Sequence, residues 1–181
     1  MKPTKALFLF LVALALTACS SDPQWVDPEA HEKTEQLRKQ YTPIIAGTWH
    51  VEYVKDKGRF FERLTFSADG TFTGMRKWQT RKLVTIDDKE QYTDWEDVEL
   101  SGTFTGTWQL RYWSPEGNSG EKRNCLFLNA QYEGANSGHM AYSNIATFDY
   151  ADETTLRFEG FYFKDKDGWI TFLRGNQEPS F

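Results

Sequence analysis

The chain has 181 residues and a formal net charge of −5. That length suits one domain with one core, and the acidic balance argues against a nucleic-acid binder. Aromatic residues make up 16%, with 14 Phe, 8 Tyr and 7 Trp against 6 Pro, so a packed domain is expected, not a low-complexity tract or two domains on a Pro-rich linker.

The first residues read as an address. Lys2 and Lys5 precede an apolar run over residues 6–16, which is short for a permanent membrane span and sits where a signal peptide belongs. The run ends Leu16-Thr17-Ala18-Cys19. This resembles the lipobox of bacterial lipoproteins: an aliphatic residue, two small ones, then the cysteine that is lipidated and becomes the new N-terminus. The resemblance implies cleavage after residue 18, lipidation of Cys19, membrane attachment through that lipid and a place in the bacterial cell envelope, at the outer membrane. Losing residues 1–18 removes Lys2 and Lys5 and no acid, taking the formal charge from −5 to −7. With Cys19 committed to lipid, the domain has no disulfide of its own, and Cys125 reads as a small apolar residue packed in a strand.

Residues 19–26 have turn formers and no periodicity, so they read as a tether. A helix is expected from Asp27-Pro28-Glu29, where Asp27 accepts from the first free amides and Pro28 suits the first turn. Ala30, Thr34, Leu37 and Tyr41 make its narrow apolar stripe, and Thr42-Pro43 is expected to stop it. So thin a stripe cannot hold an isolated helix, so the helix must dock, and closing one end of a barrel is the natural place.

From Gly47 onward strand-like runs alternate with turns. They cover 47–54, 59–66, 71–86, 91–100, 103–113, 122–130, 138–150, 154–163 and 168–174, with a bulge expected at Gly74. Short turns such as Ser67-Ala68-Asp69-Gly70 and Asp87-Asp88-Lys89-Glu90 imply sequential antiparallel pairing. Up-and-down pairing over this many strands favours a closed barrel, which leaves no edge exposed. The expected fold is therefore all-β: an antiparallel up-and-down barrel of eight to nine strands with a short N-terminal helix closing one end. The barrel domain covers 27–175, and 176–181 is a tail. Gly70-Thr71-Phe72-Thr73-Gly74 is echoed by Gly102-Thr103-Phe104-Thr105-Gly106, read as two strands that follow similar turns.

Gly47-Thr48-Trp49, opening the first strand after a short helix, resembles the Gly-x-Trp signature of lipocalins. Phe172-Leu173-Arg174 ends the last strand. In that family an arginine there stacks on the tryptophan, so the resemblance implies that Arg174 and Trp49, with Gly47, close the barrel base. The Thr-Asp-Tyr motif of secreted lipocalins is absent, and Asp149-Tyr150 is only a fragment of it. The resemblance implies a small apolar or amphipathic ligand held in a cup.

Chemistry is sparse. His31, His50 and His139 have no metal-ligand spacing, Asp165-Lys166-Asp167-Gly168 lacks the closing acid of a calcium loop, and no serine stands in an elbow motif. No cofactor or metal is expected, and an enzyme is not. The acids Asp87, Asp88, Glu90, Asp94, Glu96, Asp97 and Glu99 read as a solvated strand face and turn. Alternation places Glu62 between inward-facing Phe60 and Leu64, and places Arg76 and Trp78 on the face of Phe72. These three, with Trp108 and Tyr112, are the candidate ligand-binding residues. Two alternatives stand beside the cup: a Glu62–Arg76 pair plugging a filled barrel, and a register change at Gly74 that turns Arg76 outward. Three functions follow: a lipid-anchored carrier of a small ligand, an interaction or inhibitor lipoprotein with a filled barrel and a protein partner, or an enzyme on a calycin-like barrel.

Overall fold

A computed structural model describes residues 27–115, 120–133 and 139–181. The expected signal segment, Cys19 and the expected tether lie outside the described residues. The elements are α1 (Pro28–Ile45), β1 (Gly47–Lys55), β2 (Gly58–Phe66), β3 (Thr71–Thr80), β4 (Leu83–Ile86), β5 (Lys89–Tyr92), β6 (Glu96–Asp97), β7 (Gly102–Trp113), β8 (Arg123–Tyr132), β9 (Met140–Ala151), β10 (Thr155–Glu159) and β11 (Trp169–Arg174).

Eight antiparallel strands close a barrel in the order β1-β2-β3-β7-β8-β9-β10-β11, and β11 returns to β1. Chain order is broken only by β4–β6, an excursion outside the barrel: β4 and β5 form their own hairpin, and β6 pairs with the end of β3. Most inward positions read off alternation are buried, from Trp49 and Val51 on β1 to Ile170 and Phe172 on β11.

Helix α1 starts as its sequence dictates. Asp27 Oδ1 accepts from Glu29 N at 3.0 Å and Ala30 N at 3.2 Å. It docks where β7 overhangs β3: Thr34 Oγ1 accepts from Tyr112 N at 3.0 Å, Arg38 Nε donates to Leu110 O at 3.0 Å, and Tyr41 meets Phe148 edge-on at 4.9 Å. The expected stop at Thr42-Pro43 is corrected, because Pro43 lies inside the helix, which runs on to Ile45. Proline costs one backbone bond near the end, and the last turn is held by other means: Ile45 is buried, and its carbonyl accepts from Trp49 Nε1 at 2.7 Å.

Three strand assignments also change. The run over 71–86 breaks after Thr80, and residues 91–100 supply only the end of β5 and the two-residue β6, with Trp95 packed outside the barrel between Arg59 (4.3 Å) and Arg81 (4.4 Å). The acidic residues 87–99 belong to this excursion. The run over 154–163 ends at Glu159, and Gly160 opens a loop that leads to β11. No bulge forms at Gly74. Pairing runs unbroken from Phe66↔Phe72 through Leu64↔Gly74 to Gly58↔Thr80. Glycine is there for space, since a Cβ would come within 2.1 Å of the Phe104 ring. The five-residue echo has the same cause. The two copies pair with each other, Phe72 opposite Gly106 and Gly74 opposite Phe104; the Phe104 ring fills the space at Gly74, whereas a Cβ at Gly106 would meet Asn129 O and Ala130 of β8.

Candidate functional site

The unbroken register makes Glu62 and Arg76 direct cross-strand partners, and both side chains are fully buried inside the barrel. Arg76 Nε donates to Glu62 Oε2 at 2.5 Å, and Tyr142 Oη donates to Glu62 Oε1. Arg76 Nη1 donates to Tyr132 Oη at 2.7 Å, and that hydroxyl donates on to Leu100 O. The guanidinium lies 4.4 Å from the Tyr162 ring centre and 5.1 Å from that of Tyr142, an aromatic cage around a cation. Among the described residues Arg76 Nη2 has no hydrogen-bond partner.

Burial opposes the Arg76 charge, but the Glu62 carboxylate, with Tyr142 and Tyr132, outweighs it and holds the guanidinium charged above its ordinary range. Burial first, then the negative charge of Glu62, pushes the Tyr142 phenol well above its usual value. Burial likewise raises Tyr132. The group is thus a closed network of one cation, one carboxylate and two protonated phenols, with most of its donors and acceptors matched within the barrel.

The mouth above this network is stoppered. Residues 161–163 come from the β10–β11 loop. Phe163 stacks on Phe60 at 4.3 Å and on Tyr53 at 5.9 Å and meets Trp78 edge-on at 5.2 Å. Phe161 meets Tyr142 edge-on at 5.7 Å. The cavity left beneath, lined by Glu62, Tyr142 and the stopper rings, measures about 10 Å³, room for about one water. Alternation in the sequence points to Glu62 and Arg76, but the stopper has no such signal, because Phe161-Tyr162-Phe163 reads as the end of a strand.

The five ligand-binding candidates divide. Glu62, Arg76 and Trp78 meet at the stoppered mouth. Trp108 and Tyr112 lie at the helix end, where Trp108 Nε1 donates to Ser67 O at 2.9 Å and Lys33 sits 4.6 Å over the Tyr112 ring. At that same end Arg174 Cζ stands 4.4 Å from the Trp49 ring centre. Gly47 has φ +136°, and a Cβ there would come within 2.7 Å of Arg174 Nη1.

Cys125 is buried on β8, its Sγ donating to Trp113 O at 3.5 Å and Arg123 O at 3.4 Å. Among the described residues no three His, Cys, Asp or Glu side chains group to hold a metal ion, and no helix is long and apolar enough to cross a membrane. A larger concavity, about 950 Å³, lies outside the barrel against β7, β8 and β9. Compared with known protein families, with characterised proteins and with solved structures, the chain matches none.

Proposed function

We propose that this protein is a lipid-anchored, lipocalin-like binding module of the bacterial cell envelope whose barrel is filled, so that it engages partners through its outer surface. The observation that supports this most is the Glu62–Arg76 pair, fully buried beneath a mouth stoppered by residues 161–163. A carrier cup needs several hundred Å³, against about 10 Å³ beneath the stopper. The anchor rests on the sequence alone, on Leu16-Thr17-Ala18-Cys19.

Two measurements test the two parts. Cys19→Ser, or globomycin treatment, is expected to release the chain from membranes; a chain that stays fully membrane-bound under both sinks the anchor. Organic extraction of the purified protein, followed by mass spectrometry, is expected to yield no stoichiometric amphipath. A stoichiometric lipid or fatty acid sinks the filled barrel.

One observation favours a second reading, the carrier of a small amphipathic ligand. Among the described residues Arg76 Nη2 is buried without a hydrogen-bond partner, and the stopper over it is a loop, not a strand. On that reading the loop swings away and a polar head takes the place of Tyr162. A fluorescent amphipathic acid would then bind saturably, and Arg76→Met would weaken it with little change in melting temperature.

A further inference from the structure

The repeat that pairs β3 with β7 has an outward consequence. While its phenylalanines face in, its threonines face out. Successive strands continue the rows: Thr65↔Thr73↔Thr105↔Gln131 in one, Thr71↔Thr107↔Asn129↔Ser143 in the next. Gln109↔Phe127↔Ile145 forms a third. None of these positions carries a charge, in a chain that is 26% charged. Thr107, Asn129 and Ser143 are exposed, and their side chains make no hydrogen bond to another described residue. Thr107, Asn129 and Ser143 of the second row and all of the third line the 950 Å³ groove, walled by α1 on one side and the turn of residues 68–70 on the other.

The two charged residues at the rim are already engaged. Arg38 donates to Leu110 O and to Gln109 Oε1, and pairs with Glu35. Asp69 accepts from Thr71 N at 2.9 Å and Thr71 Oγ1 at 2.6 Å. Arg111, beside the groove, donates to Gln109 Oε1 at 3.2 Å and lies over the Phe127 ring, so among the described residues each charge bordering the groove is already engaged by the protein itself. An acyl chain finds rows of hydroxyls and amides, and a protein partner finds no cluster of large apolar anchors at the centre. Amides and hydroxyls both donate and accept, and this suits a ligand that does the same around its whole edge. The half-buried Phe127 ring, which the Arg111 guanidinium approaches to 5.4 Å from its centre, adds apolar surface for an aliphatic C–H face.

We propose that this groove binds a neutral saccharide, its hydroxyls bonded by Gln109, Asn129, Thr107 and Ser143 and its C–H face laid on Phe127. Arg38 holds the Gln109 oxygen, which leaves the amide nitrogen of Gln109 directed to the ligand. The site rests on the reading that the protein binds through its outer surface, and it names what that surface takes.

The test is titration of the full chain with a panel of neutral tetrasaccharides of glucose, galactose or N-acetylglucosamine, followed by calorimetry and amide chemical shifts. At least one is expected to bind saturably, to shift amides of β7, β8 and β9, and to keep its affinity within about twofold from low to high salt, because no ion pair is made. Asn129→Ala and Thr107→Glu, both at exposed positions, are expected to weaken it at least tenfold with an unchanged melting temperature. Phe127→Ala is expected to do the same, and Asn129→Ala carries the test if that variant folds poorly. Absence of binding across the panel, binding only of sulfated or sialylated sugars, or binding indifferent to Asn129→Ala and Thr107→Glu each overturns the proposal. The filled-barrel reading fails separately, on a co-extracted amphipath, so the two failures are distinguishable.

Discussion

Arg174 joins three parts of the molecule through Trp49. Its guanidinium stacks on the Trp49 ring at 4.4 Å while its two terminal nitrogens donate to Ile44 O and Ala46 O at the end of α1. The last turn of α1 has no basic residue of its own, so a cation from β11 satisfies the exposed carbonyls and the negative end of the helix dipole. The barrel base and the helix cap are therefore one contact. Arg174→Ala is expected to cost about 1–3 kcal/mol, and Arg174→Lys to recover less than half, because an ammonium cannot both stack and fork. Trp49→Ala removes the buried ring and the Nε1 bond to Ile45 O, for about 3–5 kcal/mol. Urea denaturation measures all three; losses below half a kcal/mol for both alanine variants would refute the coupling.

The buried pair makes a sharper prediction. Arg76→Met leaves the Glu62 carboxylate in the core without its cation, a loss of about 3–5 kcal/mol. Replacing the group together, as Glu62→Leu/Arg76→Met/Tyr142→Phe, removes the charges and the phenol that served them, and stability is expected to return close to that of the parent. A triple variant no more stable than Arg76→Met would mean that the network contributes a shape that apolar side chains cannot reproduce.

Alternation made the barrel legible, because each strand buries one face and a period of two is hard to mistake. It placed Glu62 and Arg76 inside for the same reason. What it could not show was where a strand stops. Phe161, Tyr162 and Phe163 continue an apolar pattern, yet they leave the sheet at Gly160 and fold back over the mouth. Trp95 resembles a strand residue but is held outside by Arg59 and Arg81, contacts with residues distant in sequence. Gly74 carries the signature of a bulge, and only the partner strand reveals that its missing side chain makes room for Phe104. Each miss concerns a long-range contact, which local pattern does not encode.

The tyrosines set an alkaline limit. Tyr142 and Tyr132 both hold their protons above the usual tyrosine range, chiefly through burial. In the unfolded chain they ionise near pH 10. Below that both states are protonated and the contribution is fully present; above it the unfolded state sheds protons that the native state keeps, so stability falls as pH rises. Tyrosinate absorbance is expected to lag behind free tyrosine and then to rise together with the loss of circular dichroism. Tyr142→Phe should flatten this alkaline limb, while costing about 1–3 kcal/mol at neutral pH through the lost bond to Glu62. A phenol titrating smoothly near pH 10 in the native state would contradict the burial.

Phe61 supplies the last prediction. By alternation it faces outward between Phe60 and Glu62, and an exposed ring is expected there; instead it is completely buried. Its register neighbours are Glu52 on β1 and Lys77 on β3, and residues 176–181 bridge them. Ser180 donates to the Glu52 carboxylate, Lys77 Nζ donates to Phe181 O, and Arg63 pairs with Glu178. The Phe181 ring lies 4.7 Å from the Arg59 guanidinium and 5.1 Å from Lys77 Nζ. The tail is thus a strap across β1, β2 and β3, held by one ion pair, Arg63–Glu178, and by hydrogen bonds that contribute little singly, and by the apolar area of Phe61, worth about 1.5–3 kcal/mol when buried. Removing residues 176–181 is expected to lose about that much, and Phe61→Ser in the intact chain a similar amount. Combining the two should add little to either, because both remove one contact. Hydrogen exchange would locate the loss on the outer face of β1 and β2, and strictly additive losses would show that the strap and Phe61 act independently.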